Sequence, residues 1–96
     1  MSYRIVWEKS VLRAVKSWSL PDAVLVEMHL RAHALAHRPA DRLSRLTVPF
    51  DGMVYAFEFI DPNNRICEHL FAFRVAYSQD EEVLHIVQGR YVRRFA

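Results

Sequence analysis

Glycine is nearly missing from this chain, with only Gly52 and Gly89 among 96 residues. A loop that cradles phosphates with its backbone N–H groups needs glycines close together, so a nucleotide-binding loop is disfavoured. Cysteine is scarcer still. Cys67 stands alone, which excludes an internal disulfide and a thiolate metal cluster; within a strand pattern it reads as a small buried hydrophobe. No signal-peptide pattern and no apolar run of membrane-spanning length is present, so a cytoplasmic protein without membrane association is expected. Repeats, low-complexity tracts and linkers are absent too, and residues 1–96 are expected to form one domain. No serine or cysteine nucleophile motif and no paired-carboxylate signature argues for a familiar hydrolase class.

What the chain does have is a composition ordinary for a globular fold, 52% hydrophobic and 25% charged. Tyr3-Arg4-Ile5-Val6-Trp7 alternates with β-branched and aromatic residues, which predicts an opening strand. From about Ser10 the period lengthens. Val11, Leu12, Val15 and Trp18 form one helical stripe, with Lys9, Arg13 and Lys16 on the opposite side. Pro21 and Asp22 suit the start of a second helix, which is expected to reach about His37 and stop before Pro39. Leu25, Met28, Ala32 and Leu35 give it one apolar face, while Val26 and Leu30 point elsewhere and suggest a second contact, either the first helix or a partner. A polar stretch follows, with Arg38, Arg42 and Arg45, and is expected to be a loop or short helical turn.

Strand alternation then resumes. Tyr55, Phe57 and Phe59 share one side, and Cys67, Phe71, Phe73, Val75 and Tyr77 share another. For these faces to coincide, the connection must hold an odd number of residues. Pro62-Asn63-Asn64 fits a three-residue loop with Asn64 left-handed, a register that sets Glu58 opposite Glu68. A last strand begins near Val83. The fold class expected is α+β: strand, helix, helix and three strands, the helical hairpin packed on one face of a twisted antiparallel sheet.

Of the 13 basic residues, 11 are arginine, the side chain whose planar fork matches phosphate and carboxylate. Arg74 interrupts an apolar strand, either to pair with Glu58 or Glu68 or to line an anion-binding surface with Arg90 and the tail. Arg90, Arg93 and Arg94 alternate with Tyr91 and Phe95, a mixture suited to RNA backbone and bases. His85 and His69 lie in strands, and histidine is a residue type suited to serve as a general base; His69 shares parity with the aromatic face, so packing is its expected role. His29, His33 and His37 recur every four residues, but nothing in that spacing completes a ligand set. No metal and no cofactor are expected.

This layout resembles the RelE/ParE superfamily of bacterial toxin–antitoxin toxins. The resemblance rests on Tyr3-Arg4-Ile5-Val6-Trp7, the helical hairpin ending at His37-Arg38-Pro39, the strand Phe73-Arg74-Val75-Ala76-Tyr77, and Gly89-Arg90 before the tail. It implies a RelE-like fold, a cognate antitoxin as partner, and either ribosome-dependent cleavage of messenger RNA or, as in ParE-like proteins, inhibition of DNA gyrase without catalysis. A third implied possibility is a RelE-fold binding module that has lost its toxicity. Carried over by position, Arg74 matches the family's strand arginine and Arg90 the arginine after the last strand, with Tyr91 or His85 for proton transfer. Arg93, Arg94, Lys9 and Arg13 would contact nucleic acid, and Val26 and Leu30 the antitoxin. The chain departs from the pattern at Glu58, where the family often has a basic residue, and at Phe95, where it often has tyrosine.

Overall fold

Alternation makes Arg4–Trp7 a strand, β1, in the computed structural model, which describes residues 2–95. The apolar stripes that follow coil into α1 (Lys9–Ser17) and α2 (Asp22–His33). A 3-10 turn at Ala34–Ala36 and a short helix α3 (Pro39–Arg42) lead to β2 (Ser44–Leu46). Three long strands complete the chain: β3 (Gly52–Asp61), β4 (Asn64–Ser78) and β5 (Val83–Phe95).

The class is α+β. One five-stranded sheet has the order β1-β5-β4-β3-β2. The β1 strand lies at one edge and β2 at the other, so the helices carry the chain across one face between them. Val11 and Val15 of α1 and Val24 and Met28 of α2, with Leu35 beyond it, pack there against Phe59, Phe71, Phe73, Val75, Leu84 and Ile86. Trp7 meets Phe73 edge-on, with ring centroids 5.5 Å apart. Gly89 lets the rings close over β5: a Cβ there would stand 3.0 Å from a Phe73 ring carbon and 3.2 Å from Trp18, so both rings would have to give way.

Several expectations are corrected. The sheet is mixed, because β1 pairs in parallel with β5, and four strands rather than three follow the helices. The second helix ends at His33, where the 3-10 turn tightens the chain. His37 is extended, and Arg38 takes a left-handed φ of 53° just before Pro39. Val24 rather than Leu25 leads the buried face of α2, Leu25 being half-buried at its flank.

The β3–β4 hairpin turns on two residues, Pro62 and Asn63, with Asp61 paired to Asn64. Asn64 has no left-handed φ and belongs to β4. The Asp61 carboxylate accepts a hydrogen bond from the Asn63 N–H at 2.8 Å, which fixes the tight turn. A register shift between Ile60 and Asp61 then restores the parity that brings Tyr55 opposite Phe73 and Phe57 opposite Phe71. Glu58 consequently faces Leu70, not Glu68, and Glu68 faces Ile60.

Candidate functional site

Directly paired residues on neighbouring strands project to the same side, so the ladders sort the chain's charged groups between the two faces. Arg90 pairs with Ala72, Arg74 with Gln88, and His85 with Ala76. These positions alternate with Phe71, Phe73 and Val75, which are buried under the helices. Arg74, Arg90 and His85 therefore share the face that no helix covers. A groove of about 580 Å³ runs along it, lined by Ala56, Leu70, Ala72, Val92, Val48 and Arg90 among others.

Each of these side chains is held differently. The Arg74 Nε–H donates to the side-chain oxygen of Gln88 at 2.6 Å, a neutral partner that positions the guanidinium without cancelling its charge. The Arg74 stem lies over Gly52, whose φ of 138° is reserved for glycine and whose missing Cβ would sit 3.5 Å from Arg74 Cδ. Arg90 is exposed, and among the described residues no carboxylate comes within ion-pair distance of it. His85 Nδ1 lies 3.3 Å from a Glu8 carboxylate oxygen, an exposed contact that orients the ring and leaves Nε2 without a hydrogen-bond partner among the described residues.

Arg94 also points to this face but is neutralised. It donates to Glu68 at 2.7 Å and lies 3.6 Å from Glu58, and the Glu68 hydrogen bond holds its guanidinium above its ordinary basicity. Of the two alternatives for Arg74, the pairing with Glu58 or Glu68 is thus made by Arg94 instead.

Tyr91 does not join the arginines. It pairs with Phe71 on the helix side of the sheet, half-buried, with its ring centroid 5.5 Å from that of Trp18. Its hydroxyl lies 2.6 Å from His69 Nδ1, and His69 Nε2 lies 2.8 Å from an Asp61 carboxylate oxygen. His69 is buried, only 1% exposed, and this Asp61–His69–Tyr91 chain satisfies both of its ring nitrogens. The hydrogen bond from His69, then that from Asn63, keeps the Asp61 carboxyl below its ordinary range, while burial raises the Tyr91 phenol. The Cys67 Sγ lies 3.8 Å from the same His69 Nε2. The sequence reading missed this cluster. Its one available signal was a titratable His69 in step with Cys67, Phe71 and Phe73, a side chain whose burial demands polar partners.

The remaining candidates disperse. Arg93 stands opposite His69 on the helix side, its guanidinium 5.4 Å over the Phe95 ring. Lys9 and Arg13 are exposed on α1, across the sheet from Arg74 and Arg90. Val26 and Leu30 are exposed on the outer side of α2, at 59% and 64%. His29 and His33 are neighbours with ring centroids 6.5 Å apart, but His37 has left the helix and lies 3.3 Å from the Ser2 hydroxyl, so the three histidines do not converge. Among the described residues, no helix is long and apolar enough to cross a membrane. No protein-family model, no curated protein and no solved structure matches this chain.

Proposed function

We propose that this chain is the toxin of a bacterial toxin–antitoxin pair, a RelE-like endoribonuclease acting in the cytoplasm on messenger RNA held by the ribosome. The observation that carries the reading is the sharing of one uncovered sheet face by Arg74, Arg90 and His85, with neither arginine quenched by a carboxylate. The topology supports the family resemblance: a helical hairpin links an edge strand to the far edge, and that edge strand lies parallel to the last one.

On this reading Arg74 and Arg90 grip a backbone phosphate and stabilise the charge that gathers on it during displacement. The RNA's own 2′-hydroxyl gives its proton to His85 Nε2 as the 2′-oxygen bonds to phosphorus, and the 5′-oxygen leaves with a proton from solvent. Glu8 keeps the imidazole aimed. Tyr91, on the other side of the sheet, takes no part in this step. The antitoxin would neutralise the toxin by covering the groove or the outer stripe of α2 at Val26 and Leu30.

The test is expression in a bacterial host, scoring growth and mapping new 5′ ends on ribosome-bound message. Wild type should arrest growth and generate such ends; Arg74→Ala, Arg90→Ala or His85→Ala should each lower cleavage by about 10²-fold or more. Growth arrest without new RNA ends would reject the nuclease reading and favour ParE-like inhibition of DNA gyrase, which Glu58 on this face already suits better than a phosphate cleft.

A further inference from the structure

We propose that Asp61, Cys67 and His69 form a zinc-binding site at the β3–β4 hairpin, independent of the arginine face on the other side of the sheet. Three potential ligand atoms, Asp61 Oδ2, Cys67 Sγ and His69 Nε2, all lie within 4.8 Å of one another. Their closest approaches are 2.8 Å between Asp61 and His69 and 3.8 Å between Cys67 and His69. A tetrahedral zinc with metal–ligand bonds of roughly 2.0–2.3 Å holds such atoms about 3.3–3.7 Å apart. Asp61 must therefore move out from His69 by about half an ångström and, with Cys67, close from within 4.8 Å to this spacing, a side-chain adjustment at the partly exposed turn.

The backbone provides this convergence. Cys67 and His69 stand two residues apart on one strand, so both side chains leave the same face. The tight Pro62-Asn63 turn and the register shift beside Ile60 bring Asp61 back over them. Burial of Cys67 and His69 fixes their rotamers, whereas the Asp61 side chain is 12% exposed and gives the ion a way in.

A proton between Asp61 and His69 already satisfies those two atoms, but it leaves unexplained why a thiol is aimed at the same imidazole nitrogen. The rest of the environment is that of a metal-bound imidazole. His69 Nδ1, the nitrogen away from the ion, has the Tyr91 hydroxyl at 2.6 Å, the type of outer partner that fixes a ligating ring. On binding, the His69 proton shifts from Nε2 to Nδ1, whose N–H then donates a hydrogen bond to the Tyr91 hydroxyl oxygen, and the Cys67 thiol releases its proton to solvent. Thiolate, imidazole and carboxylate together suit a borderline metal such as zinc. Three protein ligands leave a fourth position toward solvent. Arg93, opposite His69, brings positive charge to this region, but its guanidinium is turned over Phe95.

The experiment titrates the purified chain, stripped with a chelator, with Co²⁺ as a spectroscopic substitute and then with Zn²⁺. A single cobalt per chain with a thiolate-to-cobalt charge-transfer band, displaced by zinc, is expected. Cys67→Ser should abolish the band, Asp61→Asn should weaken binding at least tenfold, and Tyr91→Phe should weaken it about 10–100-fold. Near-ultraviolet circular dichroism establishes that each variant is folded; the Asp61 change, at a partly exposed turn, keeps the test open should a core variant unfold. Absence of the charge-transfer band in folded wild type overturns the proposal. So does cobalt binding that survives Cys67→Ser but is lost with His29→Gln, which would place the ion on the helical histidines.

Discussion

His29 carries a proton linkage that can be read from stability alone. Its ring packs edge-on against Trp7, with centroids 5.1 Å apart, and this burial, assisted by the neighbouring His33, lowers its basicity below the ordinary 6.5. The unfolded chain therefore takes up the proton at higher pH than the folded one. The stabilising contribution is complete above about pH 6.5, is lost as pH falls through 6.5 toward the folded value, and levels off below it. In urea unfolding between about pH 8 and 5, the wild-type midpoint should fall more than that of His29→Gln, and parallel profiles would contradict the linkage. Sequence spacing put His29 in step with His33 and His37 on the second helix but did not show that Trp7 reaches it, because that contact joins β1 to α2 through the fold. His69 is a sharper instance of the same limit. Its parity was legible, yet its partners Asp61 and Tyr91 arrive from two other strands and depend on both ladder registers at once.

At the scale of elements, helical and strand periods were readable wherever one face is buried, and the errors gather where that pattern lapses. The β3 and β4 strands were identified from their aromatic alternation, but two residues of register were lost at the turn. A two-residue hairpin with a shift beside it preserves the same parity as a three-residue loop, so alternation cannot distinguish them. The parallel pairing of β1 was equally hidden, since nothing in a four-residue strand reports its direction. The α2 stripe was read in part: Met28 and Ala32 are buried as expected, Val24 takes the place of Leu25, and Val26 and Leu30 are exposed beside that face. An aspartate at Val26 meets water rather than core. Val26→Asp should therefore change unfolding free energy by no more than about 0.5 kcal/mol. Against a co-purified antitoxin the same substitution should raise the dissociation constant about tenfold or more if α2 forms part of the contact. Unchanged affinity would move the antitoxin to the open sheet face.

For the molecule as a whole, a formal charge of +2 is too small to attract nucleic acid strongly, so its distribution decides what can bind. The sheet divides that charge. Arg94 is spent on Glu58 and Glu68, Arg93 lies on the helix side, and Lys9 and Arg13 lie beyond α1, leaving Arg74 and Arg90 uncompensated beside the groove, with Arg4 at the β1 edge of the same face. Counterion release makes this division measurable. Each phosphate neutralised on a single strand contributes a slope of about −0.7 to log affinity against log salt concentration. Two working arginines should give a slope near −1.4, and Arg90→Ala should reduce it to about −0.7. Lys9→Ala should leave the slope unchanged, because its charge faces away across the sheet. Fluorescence anisotropy of a labelled single-stranded RNA, titrated at several salt concentrations, supplies the measurement. A slope that responds to Lys9→Ala and Arg90→Ala alike would mean that RNA meets the molecule's diffuse charge rather than its open face, and the assignment of Arg74 and Arg90 as a phosphate grip would fail with it.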